Sequence, residues 1–271
     1  MADPTSMENG RILLTRDGAV AVMTLNDPAV LNAFGLKLRQ DMTQALDAID
    51  AGDARCLVIT GAGNAFCSGA NLNDKDRAPR DRQAEARGEV KTDLEAWYNP
   101  TFQRLRGLSI PIVTAINGIA AGAGMSLALS GDIKIAARSA SFLQAFARIG
   151  LVPDCGSSYI LPRLIGQARA VELSLLAERL PAETALQWGM INRLEDDDAL
   201  MPKAMEMAQR LATGPKSLGL IRQMYWDSLE NSYAEQLAAE SRMQMIAGLS
   251  TDYAEGVAAF REKRPARFTG R

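Results

Sequence analysis

Residues 112–162, IVTAINGIAAGAGMSLALSGDIKIAARSASFLQAFARIGLVPDCGSSYILP, decide the fold. The run Ile112, Val113, Ala115 and Ile116 has the length and β-branched content of a buried strand. It breaks at Asn117-Gly118, and Ala120-Ala121-Gly122-Ala123-Gly124 leads into a helical pattern over Met125–Leu129. A strand, a glycine-rich turn and a helix start leave unpaired backbone N–H groups at the positive end of a helix dipole. Such a place can hold an anion, or a carbonyl oxygen that becomes one during reaction. Small residues also let a helix pack closely on a strand, and spacing alone leaves both roles open.

A second stretch repeats the arrangement. Cys56-Leu57-Val58-Ile59-Thr60 reads as a strand, Gly61-Ala62-Gly63 as a turn, and Ala65-Phe66-Cys67-Ser68-Gly69-Ala70-Asn71-Leu72 follows. Two donor turns, with Asp154 further on before Gly156, point to a two-donor oxyanion hole with a carboxylate nearby. The competing role for Asp154 is as N-cap of the helix expected from Gly156 or Ser157.

Composition narrows the chemistry. The 271 residues include no histidine, which excludes Ser-His-Asp and Cys-His catalysis and imidazole metal sites. Acid–base work falls to Asp, Glu, Tyr, Lys or a substrate group. Cysteines 56, 67 and 155 are odd in number and widely spaced, suggesting neither a disulfide framework nor a metal site. A net charge of −2 argues against nucleic-acid binding through bulk electrostatics. No run approaches the roughly 18 apolar residues of a membrane span, and Met1-Ala2-Asp3-Pro4 has no basic-plus-apolar leader pattern, so a cytoplasmic location is expected.

Along the chain, Ile12–Thr15 and Ala19–Leu25 flank Asp17-Gly18 as a hairpin, and a helix is expected from about Gly35 to Ala51. Residues 73–91 carry charges of both signs without apolar period and read as a solvated connection. Thr92–Arg106 resumes helical spacing, with Trp97 and Tyr98 as core or pocket wall. Ile133–Ala137 is a strand and Ser141–Phe146 looks extended. After Gln167 helices dominate, punctuated by Pro181 and Thr213-Gly214-Pro215. Strands alternating with helices, then helices alone, give an α/β class with an α-helical tail. No GKS/GKT or dinucleotide glycine fingerprint is present.

AFCSGANL, NGIAAGAGMSLAL, GLVPDCGSSYILPRLIG, WGMINRL and EGVAAFREKR stand in an order and at intervals that resemble the enoyl-CoA hydratase/isomerase (crotonase) superfamily. The resemblance runs from about Arg11 to Phe268. Through WYNP, AAGAG, GLVPDCG and the terminal RFTGR it is strongest toward 1,2-epoxyphenylacetyl-CoA isomerases. It implies a tail or vector remnant over residues 1–10, a spiral of ββα units over 11–197 and a helical trimerisation region over 198–271. It also implies a trimer or a pair of trimers, an acyl-CoA substrate, and no cofactor beyond the CoA that is part of that substrate.

The resemblance assigns roles residue by residue. The N–H groups of Ala70 and Ala123 would grip the thioester carbonyl oxygen. CoA contacts would come from Asn32 and Ala33, from Phe66, Ser68, Asn71 and Leu72, and from Phe260 and Lys263. Relatives usually carry a basic residue where this chain has Asp27. Arg261, Lys263 and Arg264 can also form a solvated helix face. Hydratases of the superfamily use two glutamates, and motif-to-motif alignment puts Ser126 and Phe146 at those positions. Asp154 then stands where isomerase and dehalogenase relatives carry their acid. The expected activity is acyl-CoA isomerisation: an epoxyphenylacetyl thioester to its oxepin, a double-bond shift, or both. Hydration and a catalytically silent acyl-CoA binder are the alternatives.

Overall fold

In a computed structural model the protein is described over residues 5–77 and 79–271. The elements in chain order are β1 (Thr5–Ser6), β2 (Ile12–Asp17), β3 (Val20–Leu25), α1 (Leu36–Asp50), β4 (Cys56–Gly61), β5 (Ala65–Cys67) and α2 (Arg82–Ala86). A π-helical turn over Leu94–Tyr98 then runs into α3 (Asn99–Gly107). There follow β6 (Ile112–Ile116), β7 (Ile119–Ala121), α4 (Ala123–Leu129), β8 (Ile133–Ala137) and β9 (Ser141–Leu143). The remainder is α5 (Ser157–Ile165), α6 (Gln167–Leu176), β10 (Arg179–Pro181), α7 (Ala182–Gln187) and β11 (Arg193–Glu195), then α8 (Leu200–Ala212), α9 (Ser217–Asp227), α10 (Tyr233–Gly248) and α11 (Thr251–Glu262).

Among the described residues two sheets form, in the orders β1-β2-β3-β4-β6-β8-β11 and β10-β9-β7-β5. The chain steps between them: β4, β6 and β8 are parallel neighbours in one sheet, while β5, β7 and β9 are parallel neighbours in the other. Each step is one turn of a spiral, and the return path is helical, as parallel pairing requires. The strands β4 and β6 are buried almost throughout, which explains their unbroken apolar sequences. Helix α1 covers this sheet with Leu38, Met42, Ala45, Leu46 and Ile49, the helical period visible in the sequence.

Differences from expectation have physical causes. Thr5–Ser6, expected in a tail, pairs with Leu13–Leu14, because a turn at Gly10 (φ +71°) brings the chain back; residues 1–4 lie outside the described residues. The extended stretch from Ser141 ends at Leu143, and Ala145–Ile149 coils into a 3-10 turn closed by Gly150. The charged connection, outside Ala78, holds the short helix α2, capped by Asp81, and ion pairs such as Arg80–Glu85.

Candidate active site

Strand β5 packs directly against the start of α4. A Cβ on Gly124 would run into the Cys67 carbonyl, so only glycine lets helix and strand meet there. Gly69 has φ +94°, and a Cβ on it would lie 2.7 Å from the Ala121 carbonyl oxygen and 3.5 Å from the Ala123 nitrogen. The turns proposed from sequence therefore converge. Ala123 opens α4 behind Gly122, and the first intrahelical bond falls to Ser126 N–H, which donates to Gly122 O. Among the described residues, neither Ala70 N–H nor Ala123 N–H donates to another protein group.

The Gly69–Asn71 loop is held by Phe34. Phe34 N–H donates to Gly69 O at 2.7 Å, and Asn71 N–H donates to Phe34 O at 3.1 Å. This clamp, 35 residues upstream, left no mark in local sequence pattern. Asn32, left-handed at φ +57°, is fully buried; its amide donates to Ala62 O and Ala65 O, and its oxygen accepts from Asp27 N–H. Ala33 is also buried, as is Phe66. These three shape the loops from inside. Ser68 is half-exposed with its hydroxyl on Val30 O, Asn71 is half-exposed, and Leu72 is exposed.

Near this loop runs a polar cavity of about 270 Å³, lined by Arg11, Asp27, Val30, Lys37, Asn71 and Asp74. The Arg11 guanidinium donates to the Asp27 carboxylate at 2.7 Å, so the acid that departs from the usual pattern carries its own counter-charge. Phe260 and Lys263 do not join this groove: Phe260 is exposed on α11, and Lys263 is its left-handed C-cap. Phe260 borders a separate apolar cleft of about 500 Å³ between α9, α10 and α11.

Asp154 is not the helix cap. Cys155 (φ +53°) and Gly156 (φ +79°) are both left-handed, Gly156 occupies the cap position of α5, and no side chain caps that helix. The carboxylate is thus freed, with one oxygen, Oδ1, buried and without a partner. A non-glycine residue held left-handed beside an unsatisfied carboxylate is the kind of local strain found at functional sites. Burial pushes the Asp154 pKa above the ordinary carboxylate range, opposed by the Cys155 thiol. Burial and Asp154 drive Cys155 strongly upward, and burial pushes Cys67 up to about 12; both stay thiols at neutral pH.

Ser126 and Phe146, expected from sequence to stand where hydratases carry glutamates, have other work. The Ser126 hydroxyl donates to the Asp154 backbone carbonyl at 3.1 Å, tethering the Asp154 loop to α4. Phe146 is buried, with its ring edge 3.8 Å from where a Gly122 Cβ would be. One position supplies a tether and the other an apolar wall, and neither supplies a base.

The family model for enoyl-CoA hydratase/isomerase matches residues 15–271. The chain belongs to the enoyl-CoA hydratase/isomerase family. It is 44% identical over 262 residues to the 1,2-epoxyphenylacetyl-CoA isomerase of Escherichia coli strain K12, covering 96% of this chain and 98% of that one. It is 42% identical over 254 residues to a Rhodobacter capsulatus protein that carries an enoyl-CoA hydratase name, with 93% and 95% covered. Its fold superimposes on the crystal structure of an enoyl-CoA hydratase from Bacillus anthracis with a TM-score of 0.87 at 28% identity, covering 96% and 100%. The spiral of this family member is therefore the crotonase fold, and its relatives include both isomerases and hydratases.

Proposed function

We propose that the protein is an acyl-CoA isomerase in which Ala70 N–H and Ala123 N–H hold the thioester oxygen and Asp154 moves the proton. The observation that carries this reading is the Asp154 carboxylate: released from capping, partly desolvated, and unpartnered at Oδ1. A carboxylate in such surroundings is a stronger base than one in water, suited to taking a weakly acidic α-proton.

For a double-bond shift, the carboxylate takes the proton from Cα of a 3-enoyl thioester. The electron pair moves through the carbonyl to the oxygen, where two fixed N–H donors stabilise the dienolate more than the ground state. The same carboxyl then returns its proton to C4, leaving the conjugated 2-enoyl thioester. One acid–base group suffices, because no water is added. A ring epoxide of phenylacetyl-CoA can follow the same start: the carboxylate takes the Cα proton, the ring C–C bond shared with the epoxide breaks to give the seven-membered ring, and the carboxyl returns the proton to a ring carbon, so the oxepin thioester is an isomer of the substrate. The identity to the E. coli isomerase supports this substrate. Hydration needs a second carboxylate to deliver water, and Ser126 and Phe146 cannot provide it.

The groove at Arg11, Lys37 and Asn71 is proposed to take the CoA nucleotide, with Phe260 and Lys263 reaching a neighbouring subunit's CoA. A homotrimer or pair of trimers, built through 198–271, fits the exposed Tyr225, Tyr233, Met245, Leu249, Tyr253 and Phe260 of that region, which such an assembly would cover. Mass spectrometry of products from crotonyl-CoA, a 3-enoyl-CoA and epoxyphenylacetyl-CoA tests the reading. Isomerised products without hydrated crotonyl-CoA are expected. Hydration at the rate of an authentic hydratase overturns it, and binding without product makes the protein a silent binder. Sedimentation as a monomer at micromolar concentration overturns the trimer.

A further inference from the structure

Asp154 sits in a loop with few attachments to the rest of the fold. Leu151 N–H donates to Phe146 O at 3.0 Å, and the next backbone donor bonded to protein is Ser157 N–H, on Asp154 O at 3.0 Å. Among the described residues, no N–H group from Val152 to Gly156 donates to another protein group, and Pro153 has none to give. Cys155 is buried and left-handed, so packing holds the loop at that residue, one position after the carboxylate. The polar attachment lies elsewhere. The bond from the Ser126 hydroxyl to Asp154 O, 3.1 Å, is the one hydrogen bond among the described residues that joins 152–156 to any element other than α5.

The origin of that bond gives it a second meaning. Ser126 lies on α4, the helix that Ala123 opens, and its own N–H closes the first turn on Gly122 O at 3.1 Å. Gly122 O stands 3.4 Å from the hydroxyl and already accepts that N–H, so the single hydroxyl proton goes to the nearer Asp154 O. Ser126 is 1% exposed, and solvent hardly reaches it. One turn of helix and one hydrogen bond therefore link the backbone of Ala123 to the backbone of Asp154. In the isomerisation above, the carboxylate takes a proton from Cα and returns it to C4 while the thioester oxygen stays on its donors. Both transfers need the carboxylate at a fixed place relative to those donors, and misplacement by about 1 Å costs on the order of a hundredfold in rate.

We propose that Ser126 is a positioning residue whose hydroxyl holds the Asp154 loop on the oxyanion helix, keeping base and donor in register through both proton transfers. This rests on the reading of the protein as an acyl-CoA isomerase with Asp154 as its base. Removing the hydroxyl leaves Asp154 O its bond from Ser157 N–H, and alanine suits a helix interior, so the fold loses little. What is lost is the placement of the carboxylate.

The test is a cycle of four proteins: wild type, Ser126→Ala, Asp154→Asn and the double variant. They are compared by kcat on a 3-enoyl-CoA, by calorimetric affinity for butyryl-CoA, which has no double bond to move, and by melting temperature. Ser126→Ala is expected to lower kcat about tenfold, with butyryl-CoA affinity within about twofold and melting temperature within about 2 °C of wild type. In the Asp154→Asn background the same change should alter the residual kcat by less than about twofold, because the group that the hydroxyl places is gone. A fall of equal size in both backgrounds means that the hydroxyl acts on α4 or on the fold as a whole, and refutes the positioning role. So does wild-type kcat in Ser126→Ala, or a Ser126→Ala protein that does not fold. Wild-type kcat in Asp154→Asn refutes the assignment of the base instead, which separates the two failures.

Discussion

Gly69→Ala is the substitution that most directly perturbs the donor geometry without touching a side chain of the site. The added Cβ would lie 2.7 Å from the Ala121 carbonyl oxygen, and ordinary contact begins near 3.4 Å, so loop and strand must separate by about 0.7 Å. The residue would also hold φ +94°, which costs an L-residue about 1–2 kcal/mol. Because Phe34 clamps both Gly69 and Asn71, the loop should yield as a unit, carrying Ala70 N–H away from Ala123 N–H. Misplacement by about 1 Å costs on the order of a hundredfold in rate, and loss of one oxyanion donor a hundred- to a thousandfold. We expect kcat to fall about 30- to 100-fold with KM changed less than threefold. The melting temperature should fall by about 2–8 °C, from the strain and the size of the chain. Conversion of a 3-enoyl-CoA to the conjugated thioester, followed by absorbance, reads the first; calorimetry reads the second. A folded Gly69→Ala protein with kcat within threefold of wild type would refute the placement of the donor at Ala70.

Three further expectations concern charge. Burial raises the Asp154 pKa, so its ionised form costs the folded state stability; the cost is absent below the ordinary carboxylate pKa of about 4, grows as pH rises through the raised value, and is full above it. Asp154→Asn should therefore melt above wild type at pH 7, with the gap closing toward pH 4; a variant that melts lower at pH 7 contradicts this. The same shift should place the acid limb of wild-type kcat/KM above the ordinary carboxylate range, since the base must be ionised. Arg222, almost fully buried, donates to Asp132 at 2.7 Å and to the Leu105, Arg106 and Leu108 carbonyls, tying α9 to the end of α3 and the turn before β8. Arg222→Ala removes the counter-charge of Asp132, which keeps the Ile112 N–H and Trp226 indole donors, and leaves three carbonyls without their donor; it should cost about 3–5 kcal/mol, lowering the melting temperature by about 10 °C. An unchanged melting curve would show that water replaces the guanidinium.

What the sequence made legible was what local pattern encodes. The strands β4 and β6 announce themselves as apolar runs, the tail helices by period and breakers, and the two glycine-rich turns by composition. The second sheet was harder, because β5, β7, β9 and β10 have three residues each, too few for any alternation to register. Asp154 could be read as base or cap, and backbone conformation removes the cap: left-handed Cys155 and Gly156 turn the chain so that no side chain caps α5. The Phe34 clamp and the Arg222–Asp132 pair join residues 35 and 90 positions apart, and only the folded chain brings them together. The Arg11–Asp27 pair also escaped sequence reading, which registered the acid and not its partner across the hairpin.

The central claim is that one carboxylate moves the proton, and turnover of purified Asp154→Asn on a 3-enoyl-CoA tests it most directly. Asparagine keeps the shape and removes the transferable proton. With thioester affinity and folding held near wild type, we predict at least a hundredfold loss of kcat, about 3 kcal/mol of barrier. A folded variant that isomerises the thioester within about threefold of wild type would show that the proton travels by another group.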